Sequence, residues 1–284
     1  MKIARKPEWL RKQIRPSAHA EMERLLGELR LNTVCQEARC PNVTECFGQK
    51  QATFLILGTA CTRLCTFCSV AKGAPLPVDP GEPARMAAAV ARLELAHVVI
   101  TSPTRDDLPD GGAAVYAATV TVLRRLSPAT RIELLVPDVQ GSRSSIARIC
   151  EAGPDVIGHN LETVPRLYAI RPGASYRRSL EVLTTAKELA PATPTKSGLM
   201  LGLGERLDEV LGTLADMKEA DCSYISLGQY LPPTRRHIPV VDFISPETFG
   251  DLRREALQLG FTHVESGPYV RSSYHASDYA IGDR

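Results

Sequence analysis

The chain has 284 residues with 34 basic and 32 acidic side chains, a net charge of +2, and only 5% of its residues are aromatic. This balance excludes the strongly basic surface of a dedicated nucleic-acid-binding protein, and so few aromatics argue against a base-stacking surface. With 44% hydrophobic residues the chain can bury a core. No apolar run reaches the roughly 18 residues that span a bilayer, and the N-terminus lacks the apolar region of a secretory signal. We therefore predict a folded cytoplasmic protein that binds neither nucleic acid nor a membrane.

Residues 1–50 lack the strand–helix rhythm of the rest of the chain. Within them, the stretch MERLLGELRLN predicts a short amphipathic helix. We interpret residues 1–50 as an extension that wraps onto a main domain of residues 51–267, which is followed by a C-terminal tail of residues 268–284.

From residue 53 onwards, short apolar runs alternate with amphipathic stretches. Strands are predicted at 53–57, 97–102, 132–138, 155–162, 196–203, 223–231 and 261–267. Helices are predicted at 82–95, 113–126, 144–153, 180–190, 207–220 and 246–260, the last with Ser245 as its N-cap. This α/β alternation predicts parallel strands with right-handed crossovers. Because no G-x-G-x-x-G follows the first strand, a partial (β/α) TIM-like barrel of about six units is favoured over a doubly wound sheet.

Three cysteines, Cys61, Cys65 and Cys68, follow the first predicted strand in a C-x3-C-x2-C array. Clustered thiols in a reducing compartment are more often metal or redox groups than disulfides. A structural zinc site needs four ligands, whereas a [4Fe–4S] cluster on three thiolates leaves one iron open to a small chelating molecule. The array, with Phe67 before its last cysteine, resembles the signature of the radical S-adenosylmethionine (SAM) superfamily. The resemblance implies that SAM binds the open iron and is cleaved reductively to a 5′-deoxyadenosyl radical.

A second group of three thiols, Cys35, Cys40 and Cys46, has no fourth cysteine nearby. The remaining Cys150 and Cys222 are interpreted as small buried hydrophobic residues. Two alternatives stay open on the residues alone: a zinc-binding interaction module, and a different radical SAM enzyme with an auxiliary cluster.

The two cysteine groups and the tail sequence RSSYH (271–275) resemble, in order and spacing, the lipoyl synthase family. Further matching segments are RKPEW (5–9), ITSPTRDDLPDGG (100–112), HNLE (159–162), RPGA-x-Y (171–176), PTKSGLM-x-GLGE (194–205) and LGQYL-x-P (227–233). The resemblance implies insertion of sulfur at C6 and C8 of an octanoyl chain on a lysine of a carrier protein. The carrier is a lipoyl domain of a 2-oxoacid dehydrogenase complex or the glycine-cleavage H protein. A ferredoxin- or flavodoxin-type protein is implied as electron donor.

The same resemblance implies two [4Fe–4S] clusters per chain. The auxiliary cluster, on the second cysteine group, would take its fourth ligand from Ser273, with Ser272 as the alternative, and would supply the inserted sulfur. An alkoxide is a harder ligand than a thiolate, which favours a cluster that can be dismantled. Arg271 is expected to protect this ligand or to meet a carboxylate. Because both clusters have to face one cavity, we expect the extension and the tail to meet over the barrel mouth.

Candidate SAM-contacting residues follow several predicted strands. They are Phe67, Asn160, Glu162, Lys196, Gly204 and Glu205. Asn160 and Glu162 share a face under strand alternation. For all of them but Phe67 a purely structural role stays open. The alternatives are hydrogen-bonded polar groups at a strand end for Asn160 and Glu162, a solvated side chain for Lys196, and a strand–loop boundary for the GLGE segment. Three histidines lack the spacing of metal ligands and are interpreted as structural: His97, His237 and His263. Two aspartates, Asp106 and Asp107, are interpreted either as polar residues at the barrel mouth or as solvated loop residues.

Overall fold

In a computed structural model of the protein, residues 6–10, 20–49, 51–274 and 276 are described. The strands are β1 (Asn32–Thr33), β2 (Thr53–Leu55), β3 (Ala60–Cys61), β4 (Ala71–Lys72), β5 (His97–Thr101), β6 (Arg131–Leu135), β7 (Val156–Gly158), β8 (Thr195–Leu201), β9 (Tyr224–Gln229) and β10 (His263–Gly267). The helices are α1 (Ala20–Glu28), α2 (Val34–Glu37), α3 (Val43–Gly48), α4 (Glu82–Leu93), α5 (Ala113–Leu126), α6 (Arg143–Glu151), α7 (Tyr176–Leu189), α8 (Leu207–Glu219) and α9 (Pro246–Gln258). Short 3-10 helices lie at Glu8–Leu10, Val139–Gly141 and Pro165–Ile170.

Eight strands form one sheet in the order β1-β2-β5-β6-β7-β8-β9-β10, and β3 and β4 form a separate pair. All neighbours in the large sheet are parallel except β1 and β2, which are antiparallel. Within the described residues, no strand pairing joins β10 back to β1 or β2. The sheet is therefore an open, partial (β/α) barrel, and the predicted fold class is confirmed.

The apolar core lies between the strands and the outer helices. One cluster joins α4, α5 and α6 to the outward side chains Val98, Ile100, Ile132, Leu134 and Ile157. A second cluster joins α8 and α9 to Leu199, Leu201, Ile225, Leu227 and Val264. Because strand side chains alternate between faces, the residues between these positions lie on the barrel interior.

The barrel interior is polar where the strands begin. The Nζ of Lys196 lies 2.8 Å from Oε1 of Glu133, and Nε2 of His97 lies 3.5 Å from Oε2 of the same carboxylate. Burial acts to raise the pKa of Glu133, but the adjacent ammonium of Lys196 acts against it and that pKa is lowered, whereas burial lowers the pKa of Lys196 itself. Lys196 is thus a buried ion-pair partner near the start of β8, instead of a solvated side chain.

The N-terminal extension shares the first apolar cluster with the barrel. Met22, Leu25 and Leu26 of α1 pack into the cluster that contains the buried side chains of α4. β1 adds an antiparallel edge to the sheet, which the sequence did not predict because it is only two residues long. The division of the chain at residues 50 and 267 stays a prediction, and residues 1–5, 11–19, 50, 275 and 277–284 of the extension and tail lie outside the described residues. No helix in the described ranges has the length and apolar character needed to cross a membrane.

Several predicted elements differ from the structure at their ends; β6, for example, ends at Leu135 and not at residue 138. Two of the differences have clear local reasons. α7 begins at Tyr176, four residues before the predicted start, because the Ser175 side chain accepts a hydrogen bond from the Arg178 N–H and caps the helix. β7 ends at Gly158, not at residue 162, and Glu162 adopts a left-handed backbone with φ 69°. By contrast, Ser245 caps α9 as predicted.

Candidate functional site

The first cysteine group lies on the loop that follows β2. Cys61 is in β3, where it pairs with Lys72 of β4, and the Cys68 N–H donates to the Cys65 carbonyl at 3.3 Å. Burial raises the pKa of both Cys65 and Cys68, although the nearby ammonium of Lys72 acts to lower both. Bound iron would reverse this, because a coordinated thiol is deprotonated. The donor set therefore fits a thiolate-bound iron cluster.

Loops that follow other strands hold this cysteine loop in place. The Thr66 N–H donates to the Ile170 carbonyl at 2.9 Å. Nε2 of His237 lies 3.2 Å from the Cys68 carbonyl oxygen, so the interpretation of His237 as structural now has a specific contact. Phe67 is half-buried between these two contacts. The loop is thus braced on either side of Phe67.

The second cysteine group shares a cavity with the C-terminal tail. Cys35 lies in α2, Cys40 in the following turn and Cys46 in α3. All three line a cavity of about 380 Å³, together with Ser273 and Arg271 of the tail. The cavity is also lined by Thr53 and Tyr274, so three thiols and three hydroxyls face it, and a donor set of the three thiols with one hydroxyl oxygen fits a second cluster.

Direct contacts join the N-terminal extension, strand β2 and the C-terminal tail. The Oγ1 of Thr53, at the start of β2, donates to the Oγ of Ser273 at 2.6 Å. The Nδ2 of Asn42 donates to the Tyr269 carbonyl at 2.7 Å. Burial raises the pKa of Cys35 to about 11, although hydrogen bonds from Thr53 oppose this. Extension and tail therefore meet, and their meeting place reaches down to the amino-terminal end of β2 instead of staying at the barrel mouth.

The two adjacent tail serines have different surroundings. Ser273 lines the thiol cavity, whereas the Oγ of Ser272 accepts a hydrogen bond from Nδ2 of Asn160 at 2.5 Å. The same Asn160 nitrogen donates to Oε1 of Glu162 at 3.1 Å, and the charge of Glu162 acts on Cys68. Asn160 and Glu162 are adjacent as predicted, although not through strand alternation. Asn160 thus connects the loop after β7 to the tail.

The sequence predicts that both cysteine groups open onto one chamber. The cavity around Ser273 is not lined by Cys61, Cys65 or Cys68. The tail residue next to Ser273, Ser272, contacts Asn160 in the loop after β7.

The remaining candidate residues have contacts of other kinds. The Glu205 carboxylate accepts hydrogen bonds from the backbone N–H groups of Gly202 and Leu203 in its own loop. The Gly204 carbonyl accepts from Arg166 at 2.7 Å. These contacts give the GLGE segment a structural role, and its contact with SAM stays a prediction.

The Arg271 guanidinium donates to the Val270 carbonyl at 2.6 Å and is close enough to Cys40 for their charges to interact. In the described part of the chain, no three His, Cys, Asp or Glu side chains converge closely enough for a single metal ion. Cluster ligands bind different irons, so they need not converge in that way.

The tail depends on a glycine in β9. A Cβ on Gly228 would collide with the carbonyl oxygen of Val270, which is backbone and cannot yield without moving the tail. We expect Gly228→Ala to lower the free energy of unfolding by about 1–3 kcal/mol and to reduce iron at the Ser273 cavity. Chemical unfolding and iron analysis measure both effects. As a control, Gly212→Ala in α8 has open space around its Cβ and should not lower the free energy of unfolding. A Gly228 variant as stable as this control would contradict the packing argument.

Comparisons with known proteins agree with this geometry. The model of the radical SAM superfamily matches residues 55–217. The lipoyl synthase of Geobacter sulfurreducens is 66% identical over 284 residues, covering 100% of this chain and 94% of that protein. The lipoyl synthase of Geotalea daltonii is 64% identical over 282 residues, covering 99% and 96%. The crystal structure of methylornithine synthase superposes with a TM-score of 0.57 at 15% identity, covering 87% of this chain and 77% of that chain, which shows likeness of fold alone.

A three-thiol loop after the first parallel strand of an open barrel, matched by the superfamily model, defines a radical SAM enzyme. That superfamily implies one [4Fe–4S] cluster and SAM. Within it, the chain belongs to the lipoyl synthase family, as its full-length relatives show. The family resemblance of the sequence motifs is confirmed.

Proposed function

We propose that this protein inserts sulfur at C6 and C8 of an octanoyl chain that is bound to a lysine of a lipoyl domain or of the glycine-cleavage H protein. Cys61, Cys65 and Cys68 hold the cluster that binds SAM. A second cluster, on the second cysteine group and Ser273, supplies the sulfur. The reaction takes place in the cytoplasm, where thiols stay reduced.

One observation carries the proposal of a second cluster. Ser273 is separated from Cys46 by most of the chain, yet both line one cavity with Cys35 and Cys40. Three thiols that face one half-open cavity beside a tail serine supply the donor atoms that a second cluster needs. Ser273 lines this cavity, whereas Ser272 contacts Asn160, and this difference supports Ser273 as the oxygen ligand.

The chemistry of the reaction explains why a radical is needed. When bound, the first cluster and SAM supply a 5′-deoxyadenosyl radical for unactivated C–H bonds, and the second cluster supplies sulfide to the carbon radical. The hydroxyl of Thr53 donates to Ser273 and stabilises negative charge on that oxygen. Asn160 and Glu162 are the proposed SAM contacts. For Phe67, Lys196, Gly204 and Glu205 a SAM contact stays a prediction.

Anaerobic turnover tests this proposal. The protein, SAM, a reductant and an octanoyl-lysyl peptide are expected to yield a lipoyl product and 5′-deoxyadenosine. Deoxyadenosine without sulfur insertion would indicate a different radical SAM activity. A colourless protein that contains zinc would instead indicate an interaction module.

The electron donor is expected to dock beside the first cluster. Leu64 lies between Cys61 and Cys65 and its side chain is 61% exposed, in a loop whose neighbouring residues are buried or braced. We propose that this exposed apolar residue, beside the first cluster, contacts the ferredoxin- or flavodoxin-type protein. Such a contact brings the donor's redox group close to the cluster.

Replacing Leu64 with glutamine should therefore slow SAM cleavage by about tenfold when a flavodoxin supplies electrons, corresponding to the loss of one good apolar contact. With dithionite the rate should be unchanged, since this small reductant needs no docking surface. Leu126→Gln is the matched control, because Leu126 is similarly exposed (57%) but lies at the end of α5. Equal rates for the two variants with flavodoxin would exclude Leu64 from the docking surface.

A further inference from the structure

Arg63 is a buried cation within the first cysteine loop. It lies between Cys61 and Cys65, and only 7% of the residue is exposed. Its Nε and Nη2 donate to the two carboxylate oxygens of Asp106 at 2.7 and 2.9 Å. Its Nη1 and Nη2 donate to the two oxygens of Asp138 at 2.8 and 2.6 Å. The guanidinium is thus bound in the two-pronged geometry that gives arginine–carboxylate pairs their strength and direction.

Asp138 connects this pair to a second arginine. It follows β6, its side chain is fully buried, and it also accepts from Nε of Arg178 in α7 at 2.7 Å. Arg63, Asp106, Asp138 and Arg178 form what we term the ionic lattice. It contains two positive and two negative side chains, so its net charge is zero.

The neighbouring histidine leaves this balance intact. His159 faces Asp138, and both of its ring nitrogens have polar partners, the Val136 carbonyl and the Ser179 hydroxyl. Burial lowers the pKa of His159 to about 4, so the ring is neutral at physiological pH.

Hydrogen bonds next to the ionic lattice also hold the backbone of the cysteine loop. The Thr62 N–H and hydroxyl both donate to the Thr104 carbonyl, and the Asp106 N–H donates to the Thr62 hydroxyl. The two residues after Cys61 are therefore tied to the loop after β5, and Arg63 is tied further to the loop after β6. The sulfur positions of Cys61 and Cys65 depend on these ties.

We infer that Arg63 and Asp138 are positioning residues that fix the cysteine loop through a lattice without net charge. A cluster that cleaves SAM has to be a strong reductant, and the net charge around a cluster sets its reduction potential. A lone buried arginine at this place would make the cluster easier to reduce and a weaker reductant. The paired aspartates supply rigidity without that effect. The inference rests on the SAM-binding cluster of the proposed function and not on sulfur insertion.

The test uses the anaerobic holoenzyme and separates the effect of the net charge of the lattice from the effect of its geometry. Asp138→Asn keeps the shape but leaves the lattice with a net charge of +1. We expect the midpoint potential of the SAM-binding cluster to shift to more positive values, with the second cluster unchanged and SAM cleavage slower. In the double variant Arg63→Gln/Asp138→Asn the net charge is zero again, so the potential should return towards that of the parent. Iron loss to a chelator should then be about 10–100-fold faster, as is typical when groups that orient metal ligands are removed.

Two further variants keep the test decisive. Arg63→Lys retains the charge but loses the fork, so it should keep the potential and still lose iron faster. Asp155→Asn is the control: it breaks an Asp–Arg124 pair of similar length, 2.7 Å, away from the cysteine loop, and should change neither readout. An unchanged potential in Asp138→Asn, or equal shifts in both clusters, would overturn the inference. A shifted potential in a protein that makes no lipoyl product would sustain it while the proposed function fails.

Discussion

Replacing Ser273 with alanine is expected to abolish sulfur insertion while reductive SAM cleavage continues. Ser273 is the tail residue that shares a cavity with Cys35, Cys40 and Cys46, and its hydroxyl accepts a hydrogen bond from Thr53. Under the proposed assignment, removal of the hydroxyl takes away the fourth protein ligand of the second cluster. Activity assays should show 5′-deoxyadenosine without lipoyl product, and iron analysis should show a loss from the second cluster.

Ser272→Ala is the matched control for this variant. Its hydroxyl contacts Asn160 instead of the cavity, so the variant should retain both clusters and measurable sulfur insertion. If Ser272→Ala lost the second cluster and Ser273→Ala kept it, the ligand assignment would move by one residue.

Alanine variants of the two cysteine groups are expected to lose different reaction products. If each group holds one [4Fe–4S] cluster, as proposed, the parent should carry about eight irons per chain and a variant of either group about four. Cys65→Ala should lose 5′-deoxyadenosine and lipoyl product together, because SAM is no longer bound and cleaved. Cys46→Ala should retain deoxyadenosine formation and lose only the lipoyl product.

Cys150→Ala is the control for the cysteine variants. Cys150 packs at the edge of the first apolar cluster, and burial raises the pKa of its thiol to about 11, which suits a small apolar side chain. This variant should keep the full iron content and both products. Loss of iron from Cys150→Ala, or full lipoyl formation by Cys46→Ala, would contradict the assignment of ligands.

Local signals predicted most of the barrel. The apolar runs that became β5, β6, β8 and β9 are long enough to show their character, and the cap at Ser245 gave the start of α9. The start of α7 was missed although Ser175 carries the same capping signal, because the first turn of that helix is rich in arginine. β1 could not be predicted, since two residues carry no periodicity.

The candidate site was predicted as far as spacing within the sequence allows. Both cysteine groups are local motifs, so their members were found directly. Ser272 and Ser273 are adjacent on a tail without regular structure, and only the contacts with Asn160 and Thr53 distinguish them. No sequence pattern pointed to Arg63, because Asp106 and Asp138 lie 43 and 75 residues further along the chain.

Buried pairs inside the barrel were hidden for the same reason. Lys196 at the start of one strand meets Glu133 of another, and neither residue has a neighbour in sequence that indicates the pair. A lone lysine in a strand gives the same signal whether it is solvated, paired or in contact with a ligand. Only the register of the sheet decides between them.

The origin of the inserted sulfur tests the account most directly. The protein is reconstituted with iron and isotopically heavy sulfide, freed of unbound sulfide, and allowed one turnover with unlabelled SAM and octanoyl-lysyl peptide. Mass spectrometry of the product should find heavy sulfur at both C6 and C8, with loss of the second cluster. A lipoyl product with unlabelled sulfur, or one formed while both clusters stay intact, would contradict the proposal that the cluster at Cys35, Cys40, Cys46 and Ser273 is the sulfur source.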